Sequence, residues 1–148
     1  LSTGRVGYTA ATLAGACEAT DFTTSGETDL RALLAGLVIT PRPGRWAFET
    51  SSQPPCLDDV AMAFREAEGW SVIRPVLPGD TTPVFAWLEV SVHSSLEAVG
   101  FLAALSAALA GAAIPCNAVA GYYHDHIFVP ETERDRAIAA LEALARLS

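Results

Sequence analysis

The segment Val90-Ser-Val-His-Ser-Ser-Leu-Glu-Ala-Val-Gly100 decides the fold, because a strand is followed there directly by a helix. Apolar residues share one parity from Val84 to Val92, which predicts a half-buried strand. Ser94 and Glu97 have the spacing of a capping box, which predicts that a helix begins at this point, and Gly111 is a suitable end. The helical stripe expected to face the core consists of Leu96, Val99, Leu102, Leu105 and Leu109.

A second segment, Ala120-Gly-Tyr-Tyr-His-Asp-His-Ile-Phe-Val-Pro130, extends this pattern. Two strands are predicted over Pro115 to Ala120 and Tyr122 to Val129, with Gly121 at the turn. A closing helix follows over Glu131 to Leu147. Strand, helix, strand, strand, helix is most of a ferredoxin-like βαββαβ unit, so we expect an α+β fold.

The first half of the chain carries a weaker set of signals. A helix with Leu30, Leu33, Leu34 and Leu37 on one face is expected, capped by Thr28 or Ser25. A strand over Arg45 to Thr50 and a hairpin over Ala61 to Arg74 follow, with Gly69 in the turn. The proline-rich run Pro75 to Pro83 predicts a linker.

These patterns predict two ferredoxin-like units, each with an antiparallel sheet and helices on one face. The first unit, incomplete, is expected at 25–82 and the second at 83–148. Residues 1–24 are expected to be a disordered or weakly docked arm.

Composition limits the classes of function. A hydrophobic content of 51% with 18% charged residues predicts a packed core rather than disorder. A net charge of −8 with scattered basic residues argues against nucleic acid or an anionic membrane as a partner. Cys17, Cys56 and Cys116 form no C-x-x-C pair, and we expect free thiols in a cytoplasmic protein.

Four segments carry a family resemblance: Ser25-Gly-Glu-Thr-Asp-Leu30, Ala63-Phe-Arg-Glu-Ala-Glu-Gly69, Val92-His-Ser-Ser-Leu-Glu-Ala-Val-Gly100 and Gly121-Tyr-Tyr-His-Asp-His-Ile-Phe-Val-Pro130. Together they resemble a small bacterial family of tandem ACT-domain proteins, which are regulatory modules that sense amino acids. The resemblance implies a ferredoxin-like fold and a ligand-sensing role rather than a reaction. The chain departs from the family pattern between its halves, where Pro75 to Pro83 is too short and proline-rich for the usual helix.

The predicted ligand site lies at the turn between strand and helix. Backbone N–H groups of Ser95, Leu96 and Glu97 at a helix N-terminus suit a ligand carboxylate, with the Ser94 hydroxyl nearby. Asp125 would accept a hydrogen bond from the ligand ammonium. The predicted ligand-binding set is therefore His93, Ser94, Ser95, Leu96 and Asp125.

Other readings of the same residues remain open. One reading is that His93, His124 and His126 are the ligands of a metal site in a hydrolase. The alternative is that these histidines are hydrogen-bonded strand residues beside a polar pocket. A structural or protein-interaction domain without a ligand is a further alternative. We expect a non-enzymatic protein without catalytic residues, metal or cofactor. We also expect it to form a homodimer, because ferredoxin-like sheets leave edge strands unpaired.

Overall fold

The structure is a computed structural model that describes residues 26 to 147. Within this range the helices are α1 (Leu30–Ala35), α2 (Phe101–Gly111) and α3 (Arg134–Arg146). The strands are β1 (Ile39–Pro41), β2 (Trp46–Ser51), β3 (Met62–Arg65), β4 (Trp70–Pro75), β5 (Phe85–Val90), β6 (Asn117–Ala120) and β7 (Asp125–Pro130). Three-residue 3-10 helices lie at Leu57–Asp59 and Glu131–Glu133.

One seven-stranded sheet runs through the described part of the chain, in the order β3-β4-β2-β5-β7-β6, with β1 also paired to β5. Its strand pairs are antiparallel. Val90 at the end of β5 lies opposite Ile39 on one side and Asp125 on the other. This register places Asp125 at one end of the sheet, beside the exit from β5.

The second half has the order β5-α2-β6-β7-α3, which is the βαββα part of a ferredoxin-like unit. β1, from the first half of the chain, pairs with β5 on the edge away from β7. Strands from both sides of Pro83 therefore share one sheet, and the predicted division at that residue stays a prediction.

The core lies between the sheet and the three helices. Alternation in β5 buries Ala86, Leu88 and Val90, as period-two patterning predicts. The helices contribute buried side chains to the same cluster, namely Leu33, Leu34, Phe101, Leu105, Leu109, Ala137 and Leu141. The helices therefore cover one face of the antiparallel sheet, as the sequence predicts.

The opposite face of the sheet carries aromatic side chains. Trp46 and Trp87 meet edge to face with ring centroids 4.9 Å apart. Phe48 meets Phe128 at 5.5 Å, across the intervening β5. Such pairs add directional contacts to simple burial, so this face is also packed.

Several predicted elements are confirmed. β3 and β4 form the expected hairpin, with Gly69 in its turn at φ +150°. β2 matches the aromatic strand, and α3 matches the closing helix. No helix lies between Pro75 and Phe85, in agreement with the proline-rich linker.

The predicted start of the second helix is wrong. α2 begins at Phe101 after Gly100, so Ser94 and Glu97 do not form a capping box. Leu96 and Val99 precede the helix and are exposed. Of the predicted stripe, Leu105 and Leu109 are buried and Leu102 is 41% exposed.

Two smaller boundaries also differ from the prediction. α1 is capped by Asp29, whose Oδ1 accepts the Ala32 N–H at 2.8 Å, and not by Thr28. β7 begins at Asp125, because Gly121 donates its N–H to the His124 carbonyl at 2.9 Å and closes a turn there. His124 therefore belongs to the turn and not to the strand.

Some predictions fall on residues that the structure does not describe. These are the arm at 1–24, the alternative cap Ser25 and the state of Cys17. Cys56 and Cys116 are free thiols. Among the described residues, no helix has the length and apolarity needed to cross a membrane.

Candidate functional site

The predicted site residues come together at one end of the sheet. A pocket of about 190 Å³ lies between the loop after β5, the start of α2 and the β6–β7 turn. We call it the Asp125 pocket; its lining includes Ser94, Ser95, Leu96, Phe101, Leu102 and Asp125. A second pocket of about 280 Å³ lies on the other side of the same loop and is lined by His93, Ser94, Ser95, Leu96, Glu97 and Tyr122, with Gly26. We call it the His93 pocket.

Asp125 is the buried charged residue of the described chain, with 9% of its surface exposed. Its position in β7 places it on the same face of the sheet as Ile127 and Val129, which belong to the core with the helices. Ser94 donates its hydroxyl to Asp125 Oδ2 at 3.2 Å. No ion pair between described residues involves Asp125, so its negative charge has a neutral partner and no cationic one.

The predicted carboxylate donors are corrected by the backbone geometry. The Ser95 N–H donates to the Glu27 carbonyl at 2.9 Å, and the Glu97 N–H donates to Ser95 Oγ at 3.2 Å. Both groups are therefore already bonded within the protein. All three predicted donors, Ser95, Leu96 and Glu97, lie outside a helix, so they gain nothing from a helix dipole.

The N-terminus of α2 lies at the Asp125 pocket instead. Phe101 and Leu102, in its first turn, line the pocket together with Asp125. Gly100 is the N-cap at φ +89° and makes no side-chain capping bond. N–H groups in the first turn of a helix have no intrahelical acceptor, and the dipole favours an anion there.

The chain before α1 is bonded to the loop between β5 and α2, residues 91–100, which we call the site loop. The Glu27 N–H donates to the His93 carbonyl at 2.9 Å, and Glu27 forms a parallel bridge with Ser94. Gly26 packs closely against the backbone of Ser94 and Ser95, so that an added Cβ would lie 2.5 Å from the Ser95 nitrogen. A residue of the first half therefore forms part of the His93 pocket.

The three histidines lie in different surroundings. The His93 ring is 5.3 Å from that of Tyr123, and His124 Nδ1 lies 3.4 Å from the Val92 carbonyl oxygen. His126 Nδ1 accepts the Trp87 indole N–H at 3.1 Å on the aromatic face. Among residues 26–147, no group of three or more His, Cys, Asp or Glu side chains is arranged to hold a metal ion.

Sequence reasoning missed the contribution of Phe101 and Leu102. Gly100 precedes the uninterrupted apolar and small-residue run Phe101 to Ala110, and glycine is an acceptable N-cap. That signal was present, but Ser94 with Glu97 gave a stronger local pattern. The sequence therefore offers two helix starts, one at Ser94 and one at Gly100. The bonds of Ser94 to Asp125 and of Ser95 to Glu27 are tertiary contacts, and they exclude the first.

Comparison with protein families assigns both halves of the chain. One ACT-domain family model matches residues 84–143, and a second ACT-domain model matches residues 25–76. A solved Vibrio cholerae protein is 32% identical to the chain, and the match covers 92% of that protein. The chain belongs to the ACT-domain family. Its two ACT domains stand in tandem, so it is a regulatory module of the ligand-binding type.

Two solved structures resemble this chain in fold. The Vibrio cholerae protein, described as a protein of unknown function and possible transport protein, superimposes with a TM-score of 0.63 over 75% of this chain. An Agrobacterium tumefaciens protein matches with a TM-score of 0.55 at 14% identity, covering 74% of this chain and 89% of its own. At that identity the second likeness shows the fold alone. No curated protein matches the chain.

Proposed function

We propose that this tandem ACT protein is a non-enzymatic regulatory module that binds a free amino acid in the Asp125 pocket. The observation that carries the proposal is Asp125 itself. A carboxylate that is only 9% exposed and has only a hydroxyl partner is costly to bury. A ligand ammonium would supply the missing positive charge and a charge-assisted hydrogen bond.

The ligand carboxylate would bind at the first turn of α2. The turn lines the same pocket as Asp125, and its N-cap provides no competing side-chain acceptor. One ligand with an ammonium and a carboxylate a few bonds apart would therefore satisfy both ends of the pocket. A pocket of about 190 Å³ is smaller than the roughly 300–1,000 Å³ that is usual for drug-sized ligands, which favours a small metabolite.

His93, Ser95 and Leu96 have a secondary part in this proposal. They line the His93 pocket, which adjoins the Asp125 pocket through the shared loop. The ligand side chain would extend along this loop, so these residues would select among amino acids rather than hold their common atoms.

The test is a thermal-shift panel of the twenty amino acids against three proteins: the wild type, Asp125→Asn and Asp135→Asn. Asp135 is exposed on α3 and gives a charge-matched control away from the pocket. At least one amino acid should raise the Tm of the wild type and of Asp135→Asn, but not that of Asp125→Asn. An equal rise in all three proteins would exclude Asp125 from the site.

We also propose that the protein acts as a cytoplasmic homodimer. β3 and β6 are the two ends of the sheet order, and each pairs on one edge only within the described residues. Such edges are available for pairing with a second copy. Light scattering at high micromolar concentration should give twice the mass of one chain, and a monomer mass would contradict the proposal.

A further inference from the structure

A larger cavity lies on the aromatic face of the sheet, away from the Asp125 pocket. It has a volume of about 500 Å³ and is lined by Trp46, Trp87, Asp58, Asp59 and Arg74, together with apolar side chains. We call it the Trp pocket. None of its described lining residues belongs to the Asp125 pocket or to the His93 pocket.

The aromatic wall of the Trp pocket is fixed in position. The rings of Trp46 and Trp87 meet at 82°, with centroids 4.9 Å apart. Trp87 is held by its N–H bond to His126 at 3.1 Å and by stacking on Phe128 at 5.5 Å. A preformed wall of this kind binds a flat or aliphatic group without the cost of ordering new side chains.

The one basic residue in the lining, Arg74, is already paired. Its Nη1 donates to Asp80 Oδ2 at 2.7 Å, and its Nε donates to Glu49 Oε2. These carboxylates raise the pKa of Arg74, and the guanidinium lowers the pKa of Asp80 in return. Two carboxylates therefore already balance the positive charge of Arg74.

The two acidic residues in the lining are in the opposite situation. Asp58 and Asp59 lie on the 3-10 helix Leu57–Asp59, and both are exposed. Neither takes part in an ion pair between described residues. The rim of the pocket therefore presents uncompensated negative charge beside an aromatic wall.

We propose that the Trp pocket is a second ligand site, which takes a small organic cation: an amine or guanidinium attached to an apolar body. The indole rings would contact the apolar body, and Asp58 and Asp59 would pair with the cation at the rim, because Trp87 already has the Arg42 guanidinium 5.4 Å from its ring centroid. The chemistry differs from that of the Asp125 pocket, because no ligand carboxylate is needed. Binding at the Trp pocket and binding at the Asp125 pocket can therefore be tested independently of each other.

The test uses 2-phenylethylamine as the probe and 2-phenylethanol as its neutral counterpart. Trp70→Phe removes the third tryptophan of the chain, so fluorescence then reports on Trp46 and Trp87. In that background the amine should quench saturably and bind about fivefold tighter than the alcohol. Calorimetry with the wild type should give the same ranking, which guards against an effect of the Trp70 substitution.

Two double variants separate the rim from general surface charge. D58N/D59N should abolish the preference for the amine. E66Q/E68Q removes the same charge from the exposed β3–β4 turn and should leave the preference unchanged. Equal affinities for amine and alcohol, an absence of saturable binding, or the same loss in both double variants would each overturn the proposal.

Discussion

At the scale of single residues, Asp125 and Ser94 have unequal parts in the Asp125 pocket. Ser94 donates one neutral hydroxyl bond at 3.2 Å, whereas Asp125 provides the charge. Removing the hydroxyl leaves the carboxylate free to bind the ligand. Removing the charge leaves the ligand ammonium desolvated and without a counterion.

Asp125→Asn should therefore weaken amino-acid binding more than Ser94→Ala does. We expect a loss on the order of 2–4 kcal/mol for Asp125→Asn and about 1 kcal/mol for Ser94→Ala. Calorimetry on both variants measures the difference, with circular dichroism to confirm that each is folded. A larger loss from Ser94→Ala would reverse the assigned roles.

His126 gives the fold a pH dependence of its own. Burial lowers the pKa of His126 below its ordinary value of 6.5, and Glu89 opposes this in part. Protonation would also convert Nδ1 from an acceptor into a donor and break the bond from Trp87. Because the unfolded chain then takes up the proton first, stability should fall as the pH drops below about 6.5.

His126→Asn separates this effect from the other titrating groups. The asparagine carbonyl can accept the Trp87 N–H but does not titrate. Melting temperatures from pH 5 to pH 8 should fall less steeply at the acidic end in the variant than in the wild type. Identical slopes would show that His126 does not titrate differently on folding.

At the scale of elements, the start of α2 shows what the sequence can and cannot predict. Periodicity was sufficient for β5, the β3–β4 hairpin and α3, because those patterns are local. The capping box at Ser94 failed because two distant partners compete for it. Asp125 takes the Ser94 hydroxyl, and the Glu27 carbonyl takes the Ser95 N–H.

The same contacts explain how much of the site could be predicted. Ser94 and Asp125 were expected to lie together from strand order, and the structure places them 3.2 Å apart, oxygen to oxygen. Phe101, Leu102 and Gly26 join the site through the late start of α2 and through a contact from the other half. The Trp pocket depends on packing between β2, β5 and the 58–61 segment, which no local pattern encodes.

Two glycines provide a matched test of the loop contact. At Gly26 an alanine Cβ would lie 2.5 Å from the Ser95 nitrogen, so Gly26→Ala must displace the site loop. At Gly111, in α2, nothing described lies within 4 Å of an added Cβ. We expect Gly26→Ala to destabilise the protein by about 1–3 kcal/mol, and Gly111→Ala to stabilise it by roughly 0.5–1 kcal/mol. Urea unfolding measures both, and a neutral Gly26→Ala would contradict the close packing.

At the scale of the whole molecule, the two halves share a core. Leu33, Leu34 and Leu37 belong to the same buried cluster as Leu105 and Leu141. β1 lies on the edge of β5, and Glu27 bridges to Ser94. The first half therefore completes the core of the second half and lines part of the proposed ligand site.

A fragment of residues 83–148 should not fold cooperatively on its own. The fragment lacks β1 and the buried side chains of Leu33, Leu34 and Leu37. Burial of each leucine contributes about 1.5–3 kcal/mol to the free energy of unfolding, which is roughly 5–15 kcal/mol for an ordinary domain. Thermal unfolding followed by circular dichroism should show a broad, non-cooperative change, with the full chain as control. A sharp transition in the fragment would show that the second unit is independent.

The central claim is that a free amino acid binds through its ammonium to Asp125, and calorimetry on the wild type tests it most directly. The amino acid that stabilises the protein best is titrated beside its N-acetyl derivative, which keeps the carboxylate and the side chain but has no ammonium. We predict saturable binding of one amino acid per chain and no measurable binding of the derivative. Equal binding of the two, or no binding of any amino acid, would contradict the claim.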